Sequence, residues 1–212
     1  MASNIAARRA AKAIRRKAVL ADRRKADPQA GSLAVRVNRA ASTPIRDCLI
    51  SDGWAESGMA TLTLTRGVGS GPLVMGSFLL DTFCLGIKDV LFRSIDSHEF
   101  NVLRDTMDRA APLSPVAPAY GRKLLRDLAA WATSIGFSPH RDFATVERLF
   151  GTVNADECTA EFRFGHNGKP VYMSGPSESP RQVRRRLEQF EERFGNAGSG
   201  FVADASELLL EE

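Results

Sequence analysis

Apolar and polar positions alternate most cleanly over residues 59–66, MATLTLTR, with Ala60, Leu62 and Leu64 on one side and Thr61, Thr63 and Thr65 on the other. A period of two predicts a strand with one face buried. The turn-forming stretch GVGSGP follows, then a β-prone run from Leu73 to Leu85 with Gly76 as a bulge. Together these segments predict an antiparallel hairpin. Residues 44–51, PIRDCLIS, read as a short strand before it.

The period then changes from two to about 3.6. Ser97 is placed to cap a helix over 98–109, with Phe100, Leu103 and Met107 on one face. A Pro-rich loop at 110–118 leads to the clearest helix, 119–134, lined by Leu124, Leu128 and Trp131 and stopped by Gly136. A short helix over 143–150 follows Asp142 and ends at Gly151. A second hairpin is expected where TAEFRFG and PVYMSGP flank Asn167-Gly168, a pair that accepts positive φ at both central turn positions. Ser179, Pro180 and Gln182 then carry three helix-start signals, and Val183, Leu187, Phe190 and Phe194 form the apolar stripe of the helix they open. Two hairpins around a helical block predict an α+β domain with about four helices rather than alternating βαβ units.

Charge changes this picture at the N-terminus. The first 27 residues hold nine cations (Arg8, Arg9, Lys12, Arg15, Arg16, Lys17, Arg23, Arg24 and Lys25) against Asp22 and Asp27, a net +7. The whole chain of 212 residues sums to +4, so residues 28–212 sum to −3. The sequence therefore divides into a basic helical arm and linker (1–32), one α+β domain (33–196) and an acidic flexible tail (197–212). Dense Lys/Arg releases counterions from a polyanion, giving affinity without a shaped pocket. An Arg- and Ala-rich start is also the composition of an organelle transit peptide. Cys48, Cys84 and Cys158 are odd in number, widely spaced and without a CxxC pair, which implies free thiols in a reducing, cytoplasmic setting. No apolar run reaches the roughly 18 residues of a membrane span, so no membrane partner is expected.

Candidate chemistry concentrates in FLLDTFCLGIKD, residues 78–89. As a strand it would set Asp81 among large apolar side chains, where a carboxylate is either paired or raised in pKa; a general base and a structural ion pair share that description. Cys84 lies between Phe83 and Leu85, as a small buried hydrophobe would, and as a nucleophile it would need an adjacent base. His140, in GFSPHRDF, is the best-placed histidine. Asp81, Cys84 and His140 thus form the candidate catalytic set of a small thiol hydrolase, with Lys88, Asp89 and Asp142 beside them. No ligand spacing for a metal is found, GVGSGP has neither phosphate-loop pattern, and no cofactor is expected. Arg181, Arg184, Arg185 and Arg186 form a second basic group whose default is pairing with Glu188, Glu191 and Glu192. Arg122, Lys123 and Arg126 form a third.

The segments FLLDTFCLGIKD, PAYGRKL, GFSPHRDF and CTAEFRFGHNGKPVYMSGP occur in that order. In them the chain resembles a family of small bacterial proteins without assigned activity, marked by Leu-Asp-x-x-Cys-Leu-Gly-x-Lys-Asp, Pro-His-x-Asp and Gly-Lys-Pro segments. The resemblance spans roughly residues 45–185. It implies a bacterial cytoplasmic protein, singles out Asp81, Cys84, Lys88, Asp89, His140 and Asp142, and lends no reaction. The leading expectation is a nucleic-acid-associated protein, binding RNA or the ribosome through the arm without catalysis. The alternatives are the small hydrolase and a protein-interaction module whose acidic tail masks the arm.

Overall fold

The computed structural model describes residues 31–69, 71–174, 179–194 and 200–202. The basic arm therefore lies outside the described residues, as do residues 203–212 of the tail. The first described element is α1 (Leu33–Ala40), which the hydrophobic pattern did not announce, and Ser32 accepts the Val35 N–H as its cap. Strands β1 (Ile45–Ser51), β2 (Met59–Arg66), β3 (Leu73–Asp81) and β4 (Gly86–Ile95) follow, with the short helix α2 (Trp54–Ser57) between β1 and β2. Helix α3 (Ser97–Ala110), strand β5 (Leu113–Pro115), helix α4 (Pro118–Ser134) and helix α5 (Phe143–Val146) come next; a 3-10 turn at Glu147–Phe150 continues α5. A 3-10 turn at Ala155–Glu157, strand β6 (Val171–Met173), helix α6 (Pro180–Phe194) and strand β7 (Gly200–Val202) are the last of the described elements. The fold is thus mixed helix and sheet, and its principal sheet has five antiparallel strands in the order β4-β3-β2-β1-β5.

The predicted alternation in β2 sets its core face. Ala60, Leu62 and Leu64 meet Leu80, Phe78 and Gly76 of β3 across the sheet and face α4, whose Leu124, Leu125 and Leu128 are fully buried. Helix α4 comes close because position 121 is glycine: a Cβ there would lie 2.9 Å from Cys48 Sγ. The opposite face of β2 is not open as expected, since Thr63 and Thr65 are buried. On that side Leu73, Met75 and Ile95 pack against Phe100 and Leu103 of α3.

Several expected elements change. The run 73–85 is not one strand: β3 stops at Asp81 and a tight turn leads into β4. Gly76 is no bulge; it pairs regularly with Leu64, and the register slips instead between Leu79 and Leu80, opposite Asp89 and Ile87. The cap of α3 is Asp96, which forms a reciprocal capping box with Glu99, one residue before the expected Ser97. The Pro-rich loop holds β5, an edge strand on β1, where the missing N–H of Pro115 is tolerated. The second hairpin forms only as its turn. Asn167 and Gly168 take φ 51° and 77°, and His166 bridges Lys169, but β6 pairs in parallel with β7. Residues 159–165 do alternate, yet their apolar side lies on helices. Phe162 sits 5.1 Å from Tyr120 and 6.3 Å from Trp54, and Phe164 sits 5.5 Å from Trp131. Aromatic burial against α4 has replaced strand pairing. Residues 200–202, expected in the flexible tail, form β7.

Candidate functional site

Asp81 ends β3 and turns the chain. Its Oδ1 accepts the N–H groups of Phe83 at 3.2 Å and Cys84 at 2.8 Å, a side-chain-to-backbone turn of the kind short carboxylates favour. Gly86 then starts β4 at φ 71°, and a Cβ there would lie 2.5 Å from the Ala132 Cβ of α4. A left-handed backbone in contact with a helix leaves room for glycine alone. The carboxylate is fully buried, and Oδ2 has no hydrogen-bond partner. Burial raises its pKa from the usual 3.8 to about 6, against the lowering effect of the Cys84 N–H and of the Lys88 charge.

The turn is also where later parts of the chain attach. Thr82 donates its N–H to Gly58 O (2.8 Å) and its hydroxyl to Trp54 O (3.3 Å). In return, Thr82 O accepts from Gly165 N–H (2.8 Å) and Phe83 O accepts from Val171 N–H (3.0 Å). The Phe83 ring meets His166 edge-on at 5.3 Å. Cys84 and Leu85 join Ala132, Phe137, Tyr172 and Phe190 in a satellite core between α4 and α6. The segment 78–86 is thus a clamp holding β3–β4, the 158–174 segment and α6 together.

Cys84 has no exposed surface. Burial first, and then the Asp81 charge, push its thiol pKa well above the ordinary value, although Arg186 and Lys88 act in the other direction. A nucleophilic cysteine needs the reverse shift. Cys48 is likewise buried, its thiol pushed up to about 12. His140 joins neither residue. Its backbone N–H donates to Ile87 O (2.9 Å), its Nδ1 accepts the Asp142 N–H (3.3 Å), and its Nε2 stands 3.7 Å from Asp89 Oδ1. Asp142 occupies the position before α5, yet its side chain makes no capping bond. The structure therefore brings Asp81 and Cys84 into one turn and His140, Asp89 and Asp142 into another cluster. Among the described residues, no hydrogen bond or ion pair links His140 to Asp81 or Cys84, and no group of three or more His, Cys, Asp or Glu is arranged to hold a metal ion.

The basic groups separate just as sharply. Glu147 is buried and accepts Arg122 Nε at 2.6 Å and Arg126 Nε at 2.7 Å, while Arg122 also donates to Gly151 O (3.0 Å) and Val153 O. Burial raises the Glu147 pKa, and the two guanidinium groups more than offset it, leaving it below the usual value. Lys123 pairs with Asp127. All three cations of the third basic group are therefore paired with acids of the domain, although Arg126 is exposed. The signal for this was present: Arg122 and Arg126 are four apart on α4 and share one face. Arg66 was not singled out by its sequence context. It is 6% exposed and donates to Leu149 O (2.5 Å), Phe150 O (2.9 Å) and Thr43 O, tying β2 to the ends of two helical segments.

The arginines of α6 behave differently. Ser179 and Gln182 form the expected reciprocal cap, and Phe190 is buried as predicted. Yet Arg181, Arg184 and Arg185 are exposed, Arg186 is half-buried, and no acid among the described residues forms an ion pair with any of the four. The expected salt-bridged face is absent there. Arg185 and Arg186 line a recess of about 240 Å³ with Gln182 and Gln189. Among the described residues no helix is long and apolar enough to cross a membrane. Comparisons of the chain with protein families, with curated proteins and with solved structures find no match.

Proposed function

We propose that this protein binds nucleic acid, RNA or ribosomal RNA above all, through its cationic N-terminal arm, with the domain serving as the body that presents it. The observation that carries the reading is the charge asymmetry, +7 in residues 1–27 against −3 in residues 28–212. An acid-poor run of this density is built for phosphate contacts. The domain supports it in two ways. The basic residues of α4, Arg122, Lys123 and Arg126, already have acidic partners. Among the described residues Arg181, Arg184, Arg185 and Arg186 of α6 form no ion pair with an acid, and they add a second cationic surface on a capped helix. Phosphate contacts position a protein without reading sequence, so sequence preference is weak. The buried thiol of Cys84, to which His140 makes no hydrogen bond among the described residues, gives the hydrolase reading no comparable support.

Fluorescence anisotropy of labelled single-stranded RNA and duplex DNA across a salt series tests this. The full chain binds with an affinity that falls about 0.9 log units per log unit of salt for each duplex phosphate neutralised. Removal of residues 1–27 abolishes binding and leaves the circular dichroism of the domain unchanged. Affinity retained by the truncated chain, or no binding by the full chain at low salt, refutes the proposal.

A further inference from the structure

Strand β4 is one outer strand of the five-stranded sheet, ten residues long, with only β3 beside it. Its first residues are covered, because the His140 N–H donates to Ile87 O. Beyond that no strand pairs with the edge among the described residues, and the Val90 N–H is satisfied by Asp89 Oδ1 (2.8 Å) from the adjoining residue. A long free edge is a template for another strand.

What the edge presents is self-complementary. Asp89, Leu91 and Arg93 lie on one face of β4, opposite Leu79, Ser77 and Met75 of β3. Leu91 is 48% exposed, one of few large apolar side chains left in solvent. In an antiparallel pairing of β4 with β4 of a second copy, centred on Leu91, the two Leu91 side chains meet at the symmetry axis. Asp89 of each copy then faces Arg93 of the other, so opposite charges flank an apolar centre on both sides. On the other face Val90 meets Phe92. A twofold interface of this kind uses one patch twice, and it requires that the patch complement its own reverse. The sequence Asp-Val-Leu-Phe-Arg, residues 89–93, meets that requirement in charge and in hydrophobicity. The ion pairs that Asp89 and Arg93 make within the chain are long, Asp89 to His140 at 3.7 Å and Arg93 to Glu99 at 3.6 Å, and the Asp89 Oδ1 that accepts the Val90 N–H leaves its second oxygen to meet an arginine. Both charges are free to exchange these for each other.

We infer that the chain forms a twofold dimer by antiparallel β4–β4 pairing about Leu91, joining two five-stranded sheets into one. Main-chain hydrogen bonds along the edge supply affinity, and the Leu91–Leu91 and Asp89–Arg93 pairs set the register. This inference is independent of nucleic-acid binding. Its consequence for that binding is that two basic arms belong to one particle.

Sedimentation equilibrium of the nucleic-acid-free full chain, at low salt and over a concentration series, tests it with four variants: Leu91→Lys, Asp89→Arg, Arg93→Asp and the double reversal of Asp89 and Arg93. Circular dichroism verifies that each is folded. The unaltered chain reaches twice its sequence mass. Leu91→Lys and each single reversal, which set like charges face to face, weaken the dimer by about tenfold or more. The double reversal restores opposite charges and recovers the dimer. A chain that stays monomeric at every concentration overturns the inference. So does a dimer indifferent to Leu91→Lys, or a double reversal that fails to recover what the single reversals lost.

Discussion

Replacing Asp81 by asparagine separates two roles of that residue. The amide oxygen can accept the Phe83 and Cys84 N–H groups as the carboxylate oxygen does, so the turn is kept. What is lost is a buried negative charge. In the folded chain the acid has a pKa of about 6, raised by burial from the usual 3.8. The folded state therefore holds the proton more tightly than the unfolded chain does. The stability contributed by protonated Asp81 is complete below pH 3.8 and is lost as pH rises through about 6. The interval between the two values corresponds to about 3 kcal/mol by linkage. Asparagine carries no such dependence. At the position where Oδ2 now lacks a partner, protonated aspartate places one donor and asparagine two, a difference that does not change with pH, so the pH dependence of the comparison comes from ionisation of Asp81 alone. The assay is urea unfolding of both proteins by circular dichroism at a series of pH values from 4 to 8. The stability of Asp81→Asn relative to the unaltered protein is expected to climb by roughly 2–3 kcal/mol across that range. A difference that stays flat, or that falls as pH rises, would refute the argument that Asp81 is a buried carboxylate held at the turn at an electrostatic cost.

Glu147 has the opposite sign: its lowered pKa makes its contribution complete above the ordinary 4.5 and lost as pH falls through the folded value. Glu147→Gln leaves Arg122 buried without a carboxylate and is expected to cost about 3–5 kcal/mol in urea unfolding at neutral pH; a loss below 1 kcal/mol would show that the carbonyls of Gly151 and Val153 suffice for Arg122. Gly86→Ala forces a side chain into a left-handed position against Ala132, and a loss of about 2–4 kcal/mol is expected from the two effects together; an unchanged midpoint would contradict the close approach of α4. Under native conditions a thiol reagent should modify Cys158, which is half-buried, well before Cys48 or Cys84, and modification of Cys84 should keep pace with global unfolding. Rapid native-state labelling of Cys84 would instead mean that the α4–α6 cluster opens locally.

Signals that act over a few residues were legible in the chain. The alternation of 59–66 set β2 and its core face, and the stripe of Leu124 and Leu128 set α4. The Ser179–Gln182 pair set the start of α6, and Asn167-Gly168 set a turn. Each depends on backbone preference or on neighbours within one turn of helix or one step of strand. The end of β3 was also written locally, in an aspartate followed five residues later by glycine inside an apolar run, though strand propensity over Phe83–Cys84–Leu85 masks it. The basic composition of residues 1–27, on which the proposed binding rests, is a property of sequence alone.

Choice of partner was not legible. The same two-residue period appears in 59–66 and in 159–165, yet the first joins a sheet and the second lays Phe162 and Phe164 on α4. Periodicity says that one side of a segment will be buried, and it does not say against what. Three basic groups look alike as composition; Glu147 and Asp127 pair with all three cations of one, and Arg181, Arg184, Arg185 and Arg186 of α6 form no ion pair among the described residues. Asp81 and His140, both attractive as chemistry, were sent to different neighbours by the turn after β3 and the loop before α5. A strand pairing, a buried ion pair and a catalytic contact all require groups far apart in sequence to meet, and that meeting is decided by packing of the whole domain, where the desolvation of a charge is settled along with the burial of every apolar face.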